Sequence, residues 1–253
     1  MKKIFLYILA GSLCFTACKK DDDDTTTYVE PSDIATQNTY DDQSIAKFLD
    51  ENYLDTQGNI KAFSSTDTSD DDYKKLSQLS PITLPSGVVY IERVGAQPVD
   101  IDPTKPGTTI GNDDKITILT RAKTYLAANT DGNVAFISGT SMTGYNSLEE
   151  TGSPLTDPMY YYVKETVLNA ATDAAKQRSY YEIEGFQEGI RKFKAFDLAN
   201  GAPYNLQGVI IVPSRAAFAR DSHYNYSGYS FRNRSFVFNF QVYKTEARPA
   251  GEK

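Results

Sequence analysis

The chain has 253 residues, 40% hydrophobic and 23% charged, with a formal net charge of −7. That length and apolar share suit one main domain with appendages and exclude wholesale disorder, and the acidic balance excludes a nucleic-acid binder, since no broad face could neutralise phosphates. There are 18 Tyr and 13 Phe but no Trp, one His (His223) and two Cys (Cys14, Cys18). A His-based zinc site, a Cys–His nucleophile pair and a disulfide framework are thereby excluded, and no metal or cofactor is expected.

The first residues read as an address. Lys2 and Lys3 precede an apolar stretch over residues 4–15. A bilayer-spanning helix needs about 20 such residues, so the stretch fits the core of a secretory signal peptide over residues 1–17. Phe15-Thr16-Ala17-Cys18 then resembles a bacterial lipobox, with small residues before a Cys that is lipidated and becomes the mature N-terminus. Phe15 stands where Leu is usual. The other reading is an ordinary signal peptide that happens to contain Cys.

Lys19-Lys20-Asp21-Asp22-Asp23-Asp24 repels itself and stays solvated. Directly after a lipid Cys it also resembles the surface-export signal of lipoproteins in some Gram-negative bacteria. The expectation is an outer-membrane lipoprotein, periplasmic or surface-exposed with the surface favoured, on an acidic tether over residues 18–40.

Residues 41–80 read as a helical extension. Asp41 and Asp42 can cap a helix, and Ile45, Phe48, Leu49 and Tyr53 share one helical face before Gly58. A second short helix is expected over residues 70–79. Asp70, Asp71 and Asp72 read as a water-facing helix start rather than a metal cluster.

From Leu84 the pattern alternates. Pro85-Ser86-Gly87-Val88-Val89-Tyr90 is a turn into a strand, and residues 114–122 form another. Asn129-Thr130-Asp131-Gly132-Asn133 is a hairpin turn, and residues 134–138 return. Gly185-Phe186-Gln187-Glu188-Gly189-Ile190 opens a helix with Phe186, Ile190 and Phe193 on one face. Residues 208–212 form a strand before Pro213-Ser214-Arg215-Ala216-Ala217-Phe218. The closing strand over residues 235–243 sends Phe236, Phe238, Phe240 and Val242 to one side.

Four of these pieces, in this order, resemble the FKBP-type peptidyl-prolyl isomerase domain: the Pro-Ser-Gly-x-x-Tyr opening, the strand–Asp-Gly–strand hairpin, the Gly-Phe-x-Glu-Gly-Ile helix and the Val-Pro-Ser-Arg-x-Ala-Phe turn. The resemblance implies an α+β fold over residues 81–247, a half-open antiparallel β-sheet wrapped on a short helix. The helical N-terminal extension, an insert over about 139–180 that includes a helix over residues 165–178, and a tail over 248–253 lie outside the shared pattern. An unrelated β-rich lipoprotein domain is the competing reading.

Rotating an amide costs about 18–20 kcal/mol, and before Pro only this barrier needs lowering. No nucleophile is required. A dry aromatic pocket that grips the twisted amide suffices. The resemblance implies that Ile183 offers its backbone N–H to a proline-containing peptide, that Phe186 is the pocket floor, and that Phe218 replaces a Tyr whose hydroxyl meets the substrate carbonyl. Phe136 and Phe238 would be aromatic walls, with Ile137 beside them where the family has an acid. The family's early hairpin Tyr falls near Arg121 or Ala122. These departures thin the polar handles and imply weakened isomerase activity on proline-containing or apolar segments of exported proteins. Two rivals stay open: an inactive chaperone or assembly module on the same fold, and a surface glycan-binding lipoprotein using the Tyr-rich loop over residues 221–229. His223 reads as a solvated loop residue. The 139–180 insert reads as a partner flap or a structural cover.

Overall fold

The computed structural model describes residues 28–226 and 228–253. The signal peptide, the lipidation candidate Cys18 and the acidic run lie outside these residues. In chain order, helix α1 (Ile34–Glu51) leads into a hairpin of β1 (Asn52–Leu54) and β2 (Ile60–Ala62). The strands β3 (Ile82–Thr83) and β4 (Val89–Glu92) follow, then the single turn α2 (Pro98–Ile101) and the short strand β5 (Thr108–Thr109). A long hairpin is made of β6 (Lys115–Thr130) and β7 (Asn133–Ser141). The insert carries α3 (Ser147–Glu150), β8 (Leu155–Thr156) and α4 (Glu165–Ala170). Helix α5 (Glu184–Ile190), β9 (Lys194–Ala195), β10 (Gly208–Val212) and β11 (Arg234–Glu246) complete the chain.

The main sheet runs β3-β4-β10-β11-β6-β7, with β8 paired to β6, and every pairing is antiparallel. The architecture is α+β, an antiparallel sheet on one short helix with a helical N-terminal extension, as the sequence implied. Asp131 and Gly132 both take positive φ in the β6–β7 turn, which suits the twist of a two-residue hairpin loop.

Period-two alternation along β11 divides the molecule into two halves. Phe236, Phe238, Phe240 and Val242 enter a core with Ile210, Val212, Phe186 and Ile190 of β10 and α5. Val237 enters a second core on the other face, with Ile45 and Leu49 of α1 and Val209 and Ile211 of β10. Ser235, Asn239 and Gln241 at other odd positions are buried and polar, and Asn239 uses its amide to donate to the carbonyls of Gly58 (2.9 Å) and Gly208 (3.1 Å). Its oxygen accepts the Ile60 N–H at 3.2 Å, so one side chain ties the extension to the sheet.

Five local expectations are corrected. The first helix starts at Ile34, capped by Asp33, whose carboxylate accepts the Thr36 N–H at 2.7 Å. Residues 34–40 therefore belong to the helix rather than to the tether. Asp41, expected as a cap, is fully buried and accepts from the Ser214 N–H (2.9 Å), Ser214 Oγ (2.6 Å) and Gln37 Nε2 (3.1 Å). The stretch over 70–79 forms only isolated 3-10 turns, Thr68–Asp70 and Leu76–Gln78. There Asp70 turns back to accept the Ser64 N–H at 2.7 Å, a local bond that competes with helix formation. The helix expected over 165–178 ends at Ala170, because Ala171 and Thr172 are extended and Asp173 takes φ +50°. The expected tail is also anchored, since Arg248 is buried on a bidentate pair with Asp157 (2.5 Å to each oxygen). Among the described residues no helix is long and apolar enough to cross a membrane.

Candidate functional site

Ile183 precedes α5 with extended backbone, and its carbonyl receives the Phe186 and Gln187 N–H groups that open the helix. Gly185 lets this helix lie directly on β10. A Cβ there would stand 2.5 Å from Val212 Cγ1 and 2.7 Å from the Ala216 carbonyl. The close seating presses the Phe186 ring onto Phe238, with centroids 4.4 Å apart. Phe218, from the turn after β10, stands 6.4 Å from Phe236, which stacks along the strand on Phe238 at 6.1 Å. Ile183, Phe186, Phe218 and Phe238 thus meet in one cluster.

That cluster holds no open concavity. Phe186 and Phe238 are 0% exposed, Ile183 1% and Phe218 2%. The space over them is filled by the insert. Tyr145 lies edge-on to Phe186 (5.5 Å, 85°) and packs on Phe238 at 5.3 Å. Ala122 is the cross-strand partner of Phe238, so the position where the family has an aromatic side chain is small here. Tyr160 packs edge-on to Phe218 (5.6 Å) and Phe231 (5.3 Å). The Ile183 N–H, the donor expected to greet a peptide, is already given to the Tyr160 carbonyl at 2.8 Å.

The segment that makes this contact is firmly held. Tyr160 and Asp157 both adopt positive φ, at 62° and 58°, a conformation that tertiary contacts must enforce for a tyrosine. Glu182 is buried and accepts from the Val163 N–H (2.7 Å), Arg178 Nη1 (3.0 Å) and Gln187 Nε2 (2.9 Å). Burial pushes its carboxyl above the usual range despite these donors. Gln187 also donates to the Tyr161 carbonyl, and Arg178 to the Val163 carbonyl at 2.9 Å. From the far side Arg248 pairs with Asp157 and lies 3.7 Å above the Tyr162 ring. Tyr145 supplies the exception. Its hydroxyl is buried without a partner among the described residues, and burial raises its pKa well above the ordinary value.

His223 is half-buried rather than solvated. Its ring stacks on Phe218 (4.5 Å, 20°), and its Nε2 accepts the Phe231 N–H at 2.9 Å. An accepting Nε2 is unprotonated, which puts the neutral ring's proton on Nδ1, 3.3 Å from the Asp221 carbonyl. Burial holds its pKa below 6.5. The Tyr loop forms the rim: Tyr224, Tyr226 and Tyr229 are each about two-fifths exposed, and Tyr226 rests edge-on against Tyr160 at 4.7 Å. Burial pushes the Tyr226 hydroxyl pKa up to about 12.

Phe136 and Ile137 are not in this cluster. Phe136 pairs with Ala127 across the hairpin, and cross-strand partners share a face. That face is covered by α1, where Phe136 stacks on Tyr125 (5.1 Å, 22°) and meets Phe48 at 6.0 Å. Ile137 lies half-buried opposite Leu126 and joins none of the hydrophobic clusters. Register decides both placements, and the short motif around Phe136 does not encode register. The residues that sequence reasoning missed are Tyr145, Tyr160, Phe231 and the Glu182–Arg178–Gln187 group. The Met159-Tyr160-Tyr161-Tyr162 run was the available signal for a cover.

Among the described residues no three His, Cys, Asp or Glu side chains stand together as a metal-binding group. No family model and no curated protein matches the chain. Among solved structures, FkpA from Escherichia coli is 16% identical with a TM-score of 0.34, over 67% of this chain and 53% of that one. A peptidyl-prolyl cis-trans isomerase from Pseudomonas syringae pv. tomato is 12% identical with a TM-score of 0.33, over 66% of this chain and 81% of that one. The chain therefore spans about half the length of FkpA.

Proposed function

We propose that this chain is a peptidyl-prolyl-isomerase-like lipoprotein that binds segments of exported proteins without isomerising them. The observation that carries this reading is the hydrogen bond from the Ile183 N–H to the Tyr160 carbonyl beneath the Tyr145 and Tyr160 rings. Catalysis of proline isomerisation needs a vacant apolar seat for the ring and a donor that stabilises the twisted amide. Here a tyrosine fills the seat and a carbonyl of the same chain takes the donor. Client contacts fall instead on the tyrosine rim, where Tyr224, Tyr226 and Tyr229 offer flat, half-exposed rings to apolar or proline-containing segments. Cys18 is the proposed lipid anchor, and the outer membrane, with display on its outer face, the proposed location.

A protease-coupled proline isomerisation assay tests the reading, paired with suppression of aggregation of an unfolded client protein. The intact chain should leave the isomerisation rate at its uncatalysed value while suppressing aggregation, and replacing Tyr224 and Tyr229 by Ser should weaken the suppression. A rate above background that scales with protein concentration would replace this reading with an active isomerase. For the anchor, Cys18→Ala should release the chain from the membrane fraction without unfolding it. Retention after a carbonate wash would remove the lipoprotein assignment.

A further inference from the structure

The face of the sheet opposite the sealed cluster holds a cavity of about 240 Å³. Its floor is a patch of two strands: Arg121, Lys123 and Tyr125 alternate along β6, with Asn239 and Val237 of β11 as the cross-strand partners of Arg121 and Lys123. Phe48 and Asn52 from the end of α1, and Ile60 and Ala62 of β2, form the walls. The two cations run against the charge of an acidic chain. Arg121 is partly engaged, with Nε on Glu149 (2.6 Å) and Nη1 on Asn59 Oδ1 (3.0 Å). Among the described residues its Nη2 has no acceptor, and the Lys123 ammonium has no carboxylate within ion-pair distance. The Tyr125 hydroxyl likewise has no hydrogen-bond partner among them. Its ring is fixed, stacked on Phe136 and 5.9 Å from Phe48. Gly139 makes room for it, since a Cβ there would come within 2.7 Å of Tyr125 Cε1.

We propose that this cavity binds a sugar acid, a single pyranose ring bearing a carboxylate. Three free donors stand over an apolar wall: guanidinium Nη2, ammonium and phenol. The first two suit a carboxylate, for which charge-assisted bonds are the strong ones, and the phenol suits a ring hydroxyl. Asn52, whose amide nitrogen already donates to the Phe48 carbonyl at 2.8 Å, keeps its oxygen for another hydroxyl. The rings of Phe48 and Tyr125 offer the apolar surface against which a pyranose lays its C–H face. The volume suits one ring and excludes a peptide strand. The site lies across the sheet from the closed cluster, so it stands whether or not that cluster binds clients.

The test is titration of the full chain with glucuronate, followed by amide chemical shifts, with glucose, glucose 6-phosphate and benzoate as comparison ligands. Glucuronate should give saturable shifts at Arg121, Lys123 and Tyr125, with glucose binding at least tenfold more weakly. Lys123→Ala, an exposed position, should weaken glucuronate at least tenfold while leaving the melting temperature unchanged. Ala62→Phe, at an exposed wall position, should block the cavity. Glucose 6-phosphate binding as tightly as glucuronate would overturn the carboxylate assignment, and benzoate doing so would overturn the sugar. Absence of saturable shifts, or glucuronate binding untouched by Lys123→Ala and Ala62→Phe, would overturn the site itself.

Discussion

The two faces of β11 solve opposite problems with alternate residues of one strand. Its even positions, Phe236, Phe238, Phe240 and Val242, enter a dry cluster into which the insert drives Tyr145 and Tyr160. On its other face Val237 packs with α1 and Asn239 ties the β1–β2 hairpin to the sheet, and a cavity remains beside both. On the face that the insert covers, packing has gone to completion. Where the cover is improvised from an N-terminal extension, space persists, and Lys123 has no ion-pair partner among the described residues. Chemistry with small ligands has therefore more room on the face where no activity was expected.

The contrast predicts unequal responses to truncation. Phe186→Ala on the sealed face should cost about 3–5 kcal/mol in chemical denaturation, because three aromatic rings, Tyr145, Tyr161 and Phe238, pack on the site and cannot collapse into the void. Lys123→Ala on the open face should move stability by less than about 0.5 kcal/mol. Comparable losses from the two would erase the distinction.

Asp41→Ala comes next, at about 2–3 kcal/mol, since it strands the buried Ser214 N–H and hydroxyl together with Gln37. The same denaturation experiment reads it, and it sharpens the comparison by asking how much of the open face's strength lies in polar ties. Tyr145→Phe should have the reverse sign. It deletes a hydroxyl with no partner among the described residues and keeps the ring, so stability should rise by up to about 1 kcal/mol. A loss of stability would mean that the hydroxyl has a partner in solution and that the sealed face is wetter than described.

The smallest expected effect is that of pH on the cover. The folded pKa of His223 lies below 6.5, so the fold favours the neutral ring. Its contribution is complete above pH 6.5 and is lost as pH falls from there through the folded pKa. Protonation puts a hydrogen on Nε2 and removes the acceptor of the Phe231 N–H. Limited proteolysis at the 221–231 loop should therefore accelerate below pH 6.5 in the wild type and be flat with pH in His223→Gln. A pH-independent wild type would leave His223 without a role in closing the site.

The strands and the α5 helix were legible in the sequence because each is a local signal: alternation over residues 235–243, two glycines where α5 touches β10, a positive-φ hairpin turn. The meeting of Phe186, Phe218 and Phe238 was legible from the order of motifs. What was not legible is set by long-range geometry. The face taken by Phe136 depends on hairpin register. The start of α1 depends on Asp33 and on Gln37 and Asp41 finding partners in distant parts of the chain. Closure of the site depends on which way an insert folds, and the Tyr160–Tyr162 run is as compatible with an open flap as with a cover until its carbonyl is seen on Ile183.

Amide hydrogen exchange at Ile183 tests the closed site most directly. With its N–H bonded to the Tyr160 carbonyl beneath buried rings, this amide should exchange only through global unfolding, as slowly as the amides of Phe238 and Phe240 in β11, and a proline-containing peptide should leave it unchanged. Exchange at Ile183 orders of magnitude faster than in β11, or a change in its protection on adding the peptide, would mean that the segment around Tyr160 leaves its seat and that the site is open to substrate.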